Sequence, residues 1–331
     1  MSTIEEAIKR KKLQQLAQTA DTEIAPATEN GVAIEQSQDK ELISKTNIPS
    51  DKSESEKVAE SKEVSSLSKP KETIELNAHL LGSKNYLVFN PDHESDNLAS
   101  TKEQLLLKEE FRQIKRKLLN NAFGVISKTI KNSNLVMVTS SQANEGKTFI
   151  SINLALSIAL EQDKTVMLVD ADVLKPSIPS ELGFTQKRGL LDYLNGKIKN
   201  LADVIHPTSF PNLKILPAGT PHHLSNELLA SEKMASLCQE LQQRYPDRIV
   251  LFDCPPLLGI NETSVLAQLM GQALLVVEEN HSSLEEIKKA NELLPDTMAK
   301  GAVLNKAIYA PNAAYGYYGY GYGYGYGSKK A

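Results

Sequence analysis

The triplet Gly146, Lys147 and Thr148 follows the apolar run LVMVTS and leads directly into the helical pattern TFISINLALS. A turn of this kind directs backbone N–H groups towards phosphate at the positive end of a helix. The lysine can reach the outer phosphates of a nucleotide, and the threonine hydroxyl can bind Mg²⁺. Ser141 stands where a full G-x-x-x-x-G-K-[ST] motif has its first glycine. The triplet alone therefore indicates phosphate binding, with a chance turn as the alternative.

Three aspartates end two further apolar runs. TVMLVDAD finishes at Asp170 and Asp172, and RIVLFDCPP contains Asp253. At the carboxyl ends of parallel strands, these carboxylates would lie beside the phosphate-binding turn and bind Mg²⁺ or its waters. Helix capping is the structural alternative for each one singly. Taken with the triplet, they favour a nucleotide site.

The C-terminal segment YGYYGYGYGYGYGSKKA holds seven of the eleven tyrosines of the chain. Alternating glycine and tyrosine gives no helical face, and a strand of this composition would carry glycine along one side. The segment is therefore expected to be a mobile tail. It is either a passive aromatic terminus or a set of phosphate acceptors; the acceptors would be Tyr315, Tyr317, Tyr318, Tyr320, Tyr322, Tyr324 and Tyr326.

Composition excludes several classes of protein. The 331 residues carry a net charge of −4, so there is no basic footprint and nucleic acid is not an expected partner. The N-terminus lacks the apolar core of a signal peptide, and no apolar run approaches the roughly 20 residues of a spanning helix. Cys238 and Cys254 have no metal-ligand spacing and are expected to be buried reduced thiols.

Short apolar runs alternate with longer amphipathic ones between residues 76 and 308. Continuous apolar runs are typical of parallel strands buried on both faces. Alternation with helical patterns predicts an α/β fold with a mainly parallel sheet flanked by helices, and with ligands at the carboxyl ends of the strands. The predicted strands are NLVMVTS, TVMLVDAD, LKILPAG, RIVLFDCPP, ALLVVEEN and GAVLNK.

The chain is expected to have three parts: a disordered arm at 1–75, an ATP-binding domain at 76–308 and the flexible tyrosine tail at 309–331. The arm contains no aromatic residue before position 76 and mixes Ser, Glu, Lys and Thr without a period. Its first turns can form a helix with Ile4, Ala7 and Ile8 on one face. We expect that helix to be exposed to solvent. The alternatives are that it docks onto a partner or contacts anionic lipid.

The order NEGKT, VDAD, FDCPP and a terminal tyrosine cluster resembles the bacterial tyrosine autokinases, which control polysaccharide export. The resemblance covers about residues 76 to 331. It implies a P-loop fold, ATP and Mg²⁺ as cofactors, and phosphorylation of the tail tyrosines. The soluble chain-length-determinant type, associated with exosortase systems, is the most similar subgroup.

The resemblance also implies roles for individual residues. Lys147, Asp170 and Asp172 would be catalytic, and Thr148, Asp170, Asp172 and Asp253 would hold the metal. The helix KEEFRQIKRKLL matches the family's E-x-x-R-x-x-R oligomer contact at Glu109 and Arg112, with Lys115 at the last position. The nucleotide-binding residues would be Ser141, Gln142, Ala143, Asn144, Glu145, Gly146, Lys147, Thr148, Phe149 and Asn305, the last one against adenine.

Three positions depart from the family pattern. Lys115 lacks the planar fork of the usual arginine. Asn144 replaces a glycine in the loop, where asparagine tolerates a positive φ better than most residues. Leu174 stands where an arginine usually follows the Asp-x-Asp motif, which leaves Lys175 as the nearest basic residue.

Two other functions fit parts of the pattern. A partition or septum-positioning ATPase would share the fold, but such proteins place a signature lysine where this chain has Gln142. A scaffold with an aromatic tail would not need Lys147 or the three carboxylates. Neither alternative uses both the phosphate loop and the tyrosine tail.

In a kinase, the lysine, the metal ion and the aspartates would each have a separate role. Lys147 and Mg²⁺ would neutralise charge on the transferred phosphoryl group, and Asp170 or Asp172 would orient or deprotonate the tyrosine hydroxyl. Transfer between subunits is expected, within a homo-oligomer. The resemblance further implies a membrane chain-length determinant as activator, an opposing phosphatase, and a cytoplasmic location at the inner membrane through that activator.

Overall fold

The computed structural model describes residues 72–87, 102–244 and 247–308. The predicted N-terminal helix and all seven tail tyrosines lie outside these residues. The predicted arm ends too late, because Ile74 is only 1% exposed and its amide donates to the carbonyl of Pro207 at 2.9 Å. Packing of the domain that contains the sheet therefore begins before residue 76.

The described residues form one seven-stranded sheet in the order β3-β4-β2-β5-β1-β6-β7. All neighbouring strands are parallel except β3 and β4, which are antiparallel. The six predicted strands are confirmed, and the two-residue β3 is an addition. The strands are β1 Leu135–Ser140, β2 Thr165–Asp170, β3 His206–Pro207, β4 Leu213–Leu216, β5 Arg248–Asp253, β6 Gln272–Glu278 and β7 Ala299–Asn305.

Helices cover both faces of the sheet. They are α1 Ala78–Ser83, α2 Lys102–Phe123, α3 Lys147–Ala159, α4 Ile178–Leu182, α5 Leu190–Leu194, α6 Ser225–Leu229, α7 Glu232–Arg244, α8 Asn261–Ala267 and α9 Leu284–Glu292, with 3₁₀ turns at Val125–Thr129 and Leu201–Val204. Among the described helices, none is both long and apolar enough to cross a lipid bilayer.

The run NELLASEKMASLCQELQQR, residues 226–244, has a continuous helical period in the sequence, but the structure divides it between two helices. Ser231 separates α6 from α7 because its hydroxyl donates to the carbonyl of Leu228 at 2.6 Å and accepts the amide of Met234 at 3.2 Å. A serine that bonds the local backbone in this way ends one helix and caps the next.

The core has two layers, one on each face of the sheet. In β1, Leu135 and Met137 face the layer formed with α5 to α9, whereas Val136 and Val138 face the layer formed with α1 to α4. This alternation follows from the two-residue period of a strand. Because both faces are covered, the polar chemistry is confined to the strand ends. Cys238 and Cys254 are buried free thiols, as predicted.

Candidate nucleotide and phosphotransfer site

The phosphate loop, residues 141–148, connects β1 to α3. Gly146 adopts φ +94° and Asn144 adopts φ +68°, so two residues of the loop have the left-handed backbone that asparagine tolerates and glycine favours. This curvature brings the chain to the start of α3, which begins at Lys147. The loop thus has the backbone form expected of an anion cradle.

A buried carboxylate supports the loop from within. Glu145 is fully buried and accepts hydrogen bonds from the Ser141 hydroxyl at 2.8 Å and from the Gln142 amide at 2.8 Å. The hydroxyl of Ser282, which follows β6, also donates to this carboxylate. The side chains of Ser141 and Glu145 therefore shape the loop, and contact of either residue with nucleotide through its backbone stays a prediction.

Phe149 was also predicted to contact nucleotide. Its ring centroid instead lies 5.4 Å from that of Tyr86 and 6.4 Å from that of Phe111. Phe149 packs with the layer under α2, because the first turn of α3 directs this side chain away from the loop. The sequence could not show this, since Tyr86 is distant along the chain.

Asp253, at the end of β5, receives two hydrogen bonds from α3. The Thr148 hydroxyl donates at 2.7 Å and the Ser151 hydroxyl at 3.0 Å. Burial raises the pKa of Asp253 to about 6, although both hydroxyls and Lys147 oppose the rise. Thr148 also lies 2.9 Å from the Ser177 hydroxyl, a neighbour that the motif did not predict.

Asp170 lies directly opposite Asp253 in the register of β2 and β5. It is fully buried, and neither carboxylate oxygen accepts a hydrogen bond of standard geometry among the described residues, although the backbone amides of Ile178 and Asp172 lie near enough to lower its pKa. Burial raises the pKa of Asp170 well above its ordinary value, and the carboxylates of Asp253 and Asp172 raise it further. A buried carboxylate without a partner is costly, which is consistent with a site for a bound group.

Asp172 is half-buried and accepts the amide of Lys175 at 3.2 Å. Burial raises its pKa, and the charge of Lys147 opposes the rise. Lys147 itself is only 7% exposed. The structure therefore brings the predicted lysine and the three predicted aspartates to one edge of the sheet.

These residues fit a hydrated Mg²⁺ better than a closed protein cage. Among the described residues, no three His, Cys, Asp or Glu side chains are arranged to ligate one metal directly. Mg²⁺ usually keeps several waters and takes only one or two carboxylates together with nucleotide phosphates. Thr148 and Asp253, beside the unpartnered oxygens of Asp170, match that type of site.

The end of β7 also contacts the phosphate loop. The side-chain amide of Asn305 donates to the carbonyl of Glu145 at 2.9 Å, and the ammonium of Lys306 donates to the carbonyl of Asn144 at 2.9 Å. Asn305 was predicted near the nucleotide, and its contact with adenine stays a prediction. The role of Lys306 was missed, although its place just after a strand was a usable signal.

The three predicted oligomer residues on α2 lie in different surroundings. Glu109 and Arg112 are an exposed pair at 2.9 Å. Lys115 is only 7% exposed, and its ammonium bonds Glu161 at 2.6 Å and the carbonyl of Ser157 at 3.1 Å. In the described chain Lys115 joins α2 to the end of α3, and its contact with a neighbouring subunit stays a prediction.

Known proteins are similar to this chain in sequence and in fold. The AAA domain family model matches residues 133–299. The tyrosine-protein kinase YwqD of Bacillus subtilis is 30% identical over 224 residues, which are 67% of this chain and 90% of that protein. The chain belongs to the bacterial tyrosine autokinase family.

Other proteins named as tyrosine kinases are similar to part of this chain. The putative tyrosine-protein kinase EpsB of Ralstonia nicotianae is 36% identical over 187 residues, covering 56% of this chain and 24% of that protein. The chain thus spans about a quarter of this longer relative. Among solved structures, the VpsO kinase domain has a TM-score of 0.53 and 29% identity, covering 62% of this chain and 98% of that one.

Proposed function

We propose that this chain is an ATP-dependent protein-tyrosine kinase that phosphorylates its own C-terminal tyrosine cluster. The observation that carries the proposal is the convergence of Lys147, Thr148 and three strand-end aspartates around the phosphate loop, in a family of tyrosine kinases. Bound Mg²⁺·ATP would supply the phosphoryl group and much of the charge neutralisation. Lys147 would stabilise the charge that develops during transfer.

The proposed transfer forms a bond from the tyrosine oxygen to the γ-phosphorus and breaks the bond to the β–γ bridging oxygen, which leaves ADP. The phenolic proton passes to a carboxylate. Asp170 is fully buried, whereas Asp172 is partly exposed, so Asp172 is the better placed of the two to meet an incoming hydroxyl. Asp170 would then act on the cation side, where its two oxygens lack partners.

Transfer is proposed to occur between subunits of a homo-oligomer. The exposed pair Glu109 and Arg112 offers a surface for a neighbouring chain. A direct test mixes the Lys147→Met chain, whose tail is intact, with a chain whose seven tail tyrosines are phenylalanine. Phosphotyrosine on the Lys147→Met tail is expected only in the mixture. If the unmodified chain labels its own tail but the mixture shows no phosphotyrosine, transfer occurs within one chain.

The family also supports a cellular role. The kinase is proposed to regulate exopolysaccharide chain length or export from the cytoplasmic side of the inner membrane. A membrane chain-length determinant would activate it, and a phosphatase would reverse it. Addition of the cytoplasmic segment of such a determinant should raise the rate of tail phosphorylation. ATP hydrolysis with nucleotide-driven dimerisation, but without phosphotyrosine, would favour the partition-type ATPase.

A further inference from the structure

The tail root, residues 305–308, lies where β7 ends and the tyrosine tail begins. Two of its side chains bond consecutive carbonyls of the phosphate loop: Lys306 bonds that of Asn144, and Asn305 bonds that of Glu145, both at 2.9 Å. We infer that Asn305 and Lys306 are positioning residues that aim the loop amides at phosphate and thereby couple nucleotide binding to the tail root. The inference rests on the nucleotide-binding part of the proposed function.

Peptide geometry explains the direction in which the N–H groups of the phosphate loop point. In a trans peptide, the carbonyl of one residue and the N–H of the next point in opposite directions. Because the carbonyls of Asn144 and Glu145 are turned towards the tail root, the N–H groups of Glu145 and Gly146 point away from it. Neither N–H makes a hydrogen bond among the described residues. Both are therefore available to an anion in the loop.

The contacts are close and specific. A Cβ atom on Gly146 would lie 2.0 Å from the side-chain nitrogen of Asn305, so the asparagine fills the space that a side chain would need. Lys306 adopts φ +55°, which is uncommon for a residue other than glycine. Its ammonium also pairs with Glu278, at the end of β6, at 2.9 Å. Lys306 is thus held between β6 and the loop.

The coupling works in both directions. A nucleotide that binds the amides of Glu145 and Gly146 favours the loop shape that Asn305 and Lys306 hold, so the two events stabilise each other. Bound nucleotide should therefore order the tail root, from which the tyrosine tail emerges. A change at the tail root should in turn weaken nucleotide binding, although neither side chain needs to touch phosphate.

The test is calorimetric titration of the full chain with Mg²⁺·ADP. Asn305→Ala and Lys306→Ala each remove one hydrogen bond to the loop, and each should weaken binding by about three- to tenfold. Lys306→Arg keeps a donor and should restore most of the affinity. The matched control is Lys300→Ala, because Lys300 lies on the same strand and pairs with Asp296 at 3.3 Å, away from the loop.

Two further readouts separate positioning from general stability. The melting temperatures of the variants without nucleotide should match that of Lys300→Ala. Hydrogen exchange at residues 305–308 should slow when Mg²⁺·ADP binds the unmodified chain, and less so in the Asn305→Ala chain. Unchanged affinity in both alanine variants would overturn the inference alone. Failure of the unmodified chain to bind Mg²⁺·ADP would overturn the proposed function with it.

Discussion

Lys147 is a nearly buried cation, and its proposed role in transfer depends on its charge rather than on its contacts in the core. It is 7% exposed, and its charge opposes the raised pKa values of Asp172 and Asp253. Replacing it with methionine keeps the length of the side chain while removing the charge. Lys147→Met should therefore abolish tail phosphorylation, read with an antibody to phosphotyrosine, while circular dichroism stays unchanged. A normal rate of labelling in this variant would contradict the site.

Alanine substitutions at Gly146 and Gly259 distinguish the effect of backbone strain from the effect of a steric contact with Asn305. Gly146→Ala imposes a side chain at φ +94° and also a contact with Asn305 at 2.0 Å. Gly259 has φ +90°, but an added Cβ would meet nothing within 4 Å. Both alanine variants should lose about 1–2 kcal/mol of stability from the backbone, and only Gly146→Ala should lose nucleotide affinity. Equal affinities in the two variants, measured by titration with Mg²⁺·ADP, would show that the contact with Asn305 has no role.

The place of a residue in the fold could be predicted from the sequence where that residue lies at the end of a strand. The phosphate loop and the carboxylates were predictable because strand ends converge in a parallel sheet. The roles of Ser141, Glu145 and Phe149 were not predictable. Ser282, which donates to Glu145, and Tyr86, which packs against Phe149, lie more than 60 residues away from these partners along the chain, and only the fold brings them together. The contact of Ser141 is local, but it depends on the buried position of Glu145.

Among the elements, α2 and the end of α3 are joined by the buried Lys115, which pairs with the partly exposed Glu161. Lys115→Ala would leave Glu161 and the carbonyl of Ser157 without their partner, and we expect a loss of about 1–3 kcal/mol in the free energy of unfolding. Lys117 is exposed on the same helix, and Lys117→Ala should change stability by less than about 0.5 kcal/mol. Urea denaturation compares the two. If Lys115→Ala keeps its stability but loses its oligomeric size, the original assignment as a subunit contact is correct.

The order of strands and helices was predictable because apolar runs and amphipathic periods differ clearly in this sequence. Two details were not. β3 has only two residues, which gives no period to detect. The break between α6 and α7 depends on the side chain of Ser231, which competes with the helical backbone.

For the whole molecule, the tyrosine tail is a candidate switch between assembled and dispersed chains. Seven phosphotyrosines would add on the order of −10 to −14 charges near pH 7. That charge would repel other phosphorylated tails and the site with Asp170, Asp172 and Asp253, so phosphorylated chains should separate. Salt should weaken the effect, because exposed charges are screened over roughly 10 Å at 0.1 M.

Light scattering at low and high salt tests this switch on the unmodified chain, the phosphorylated chain and a variant with all seven tail tyrosines changed to phenylalanine. The phosphorylated chain should be the smallest at low salt. A phosphorylated form as large as the phenylalanine variant in every condition would exclude an electrostatic switch.

The proposed phosphorylation of the tail is tested most directly by locating phosphate on the chain after reaction. The full chain and its Lys147→Met variant are incubated with Mg²⁺·ATP, with and without the cytoplasmic segment of a membrane chain-length determinant, and phosphotyrosine is mapped by mass spectrometry. We expect phosphate on tyrosines between Tyr315 and Tyr326 in the unmodified chain and none there in the variant. An unmodified chain without phosphate in that segment, or a variant labelled to the same extent, would contradict this proposal.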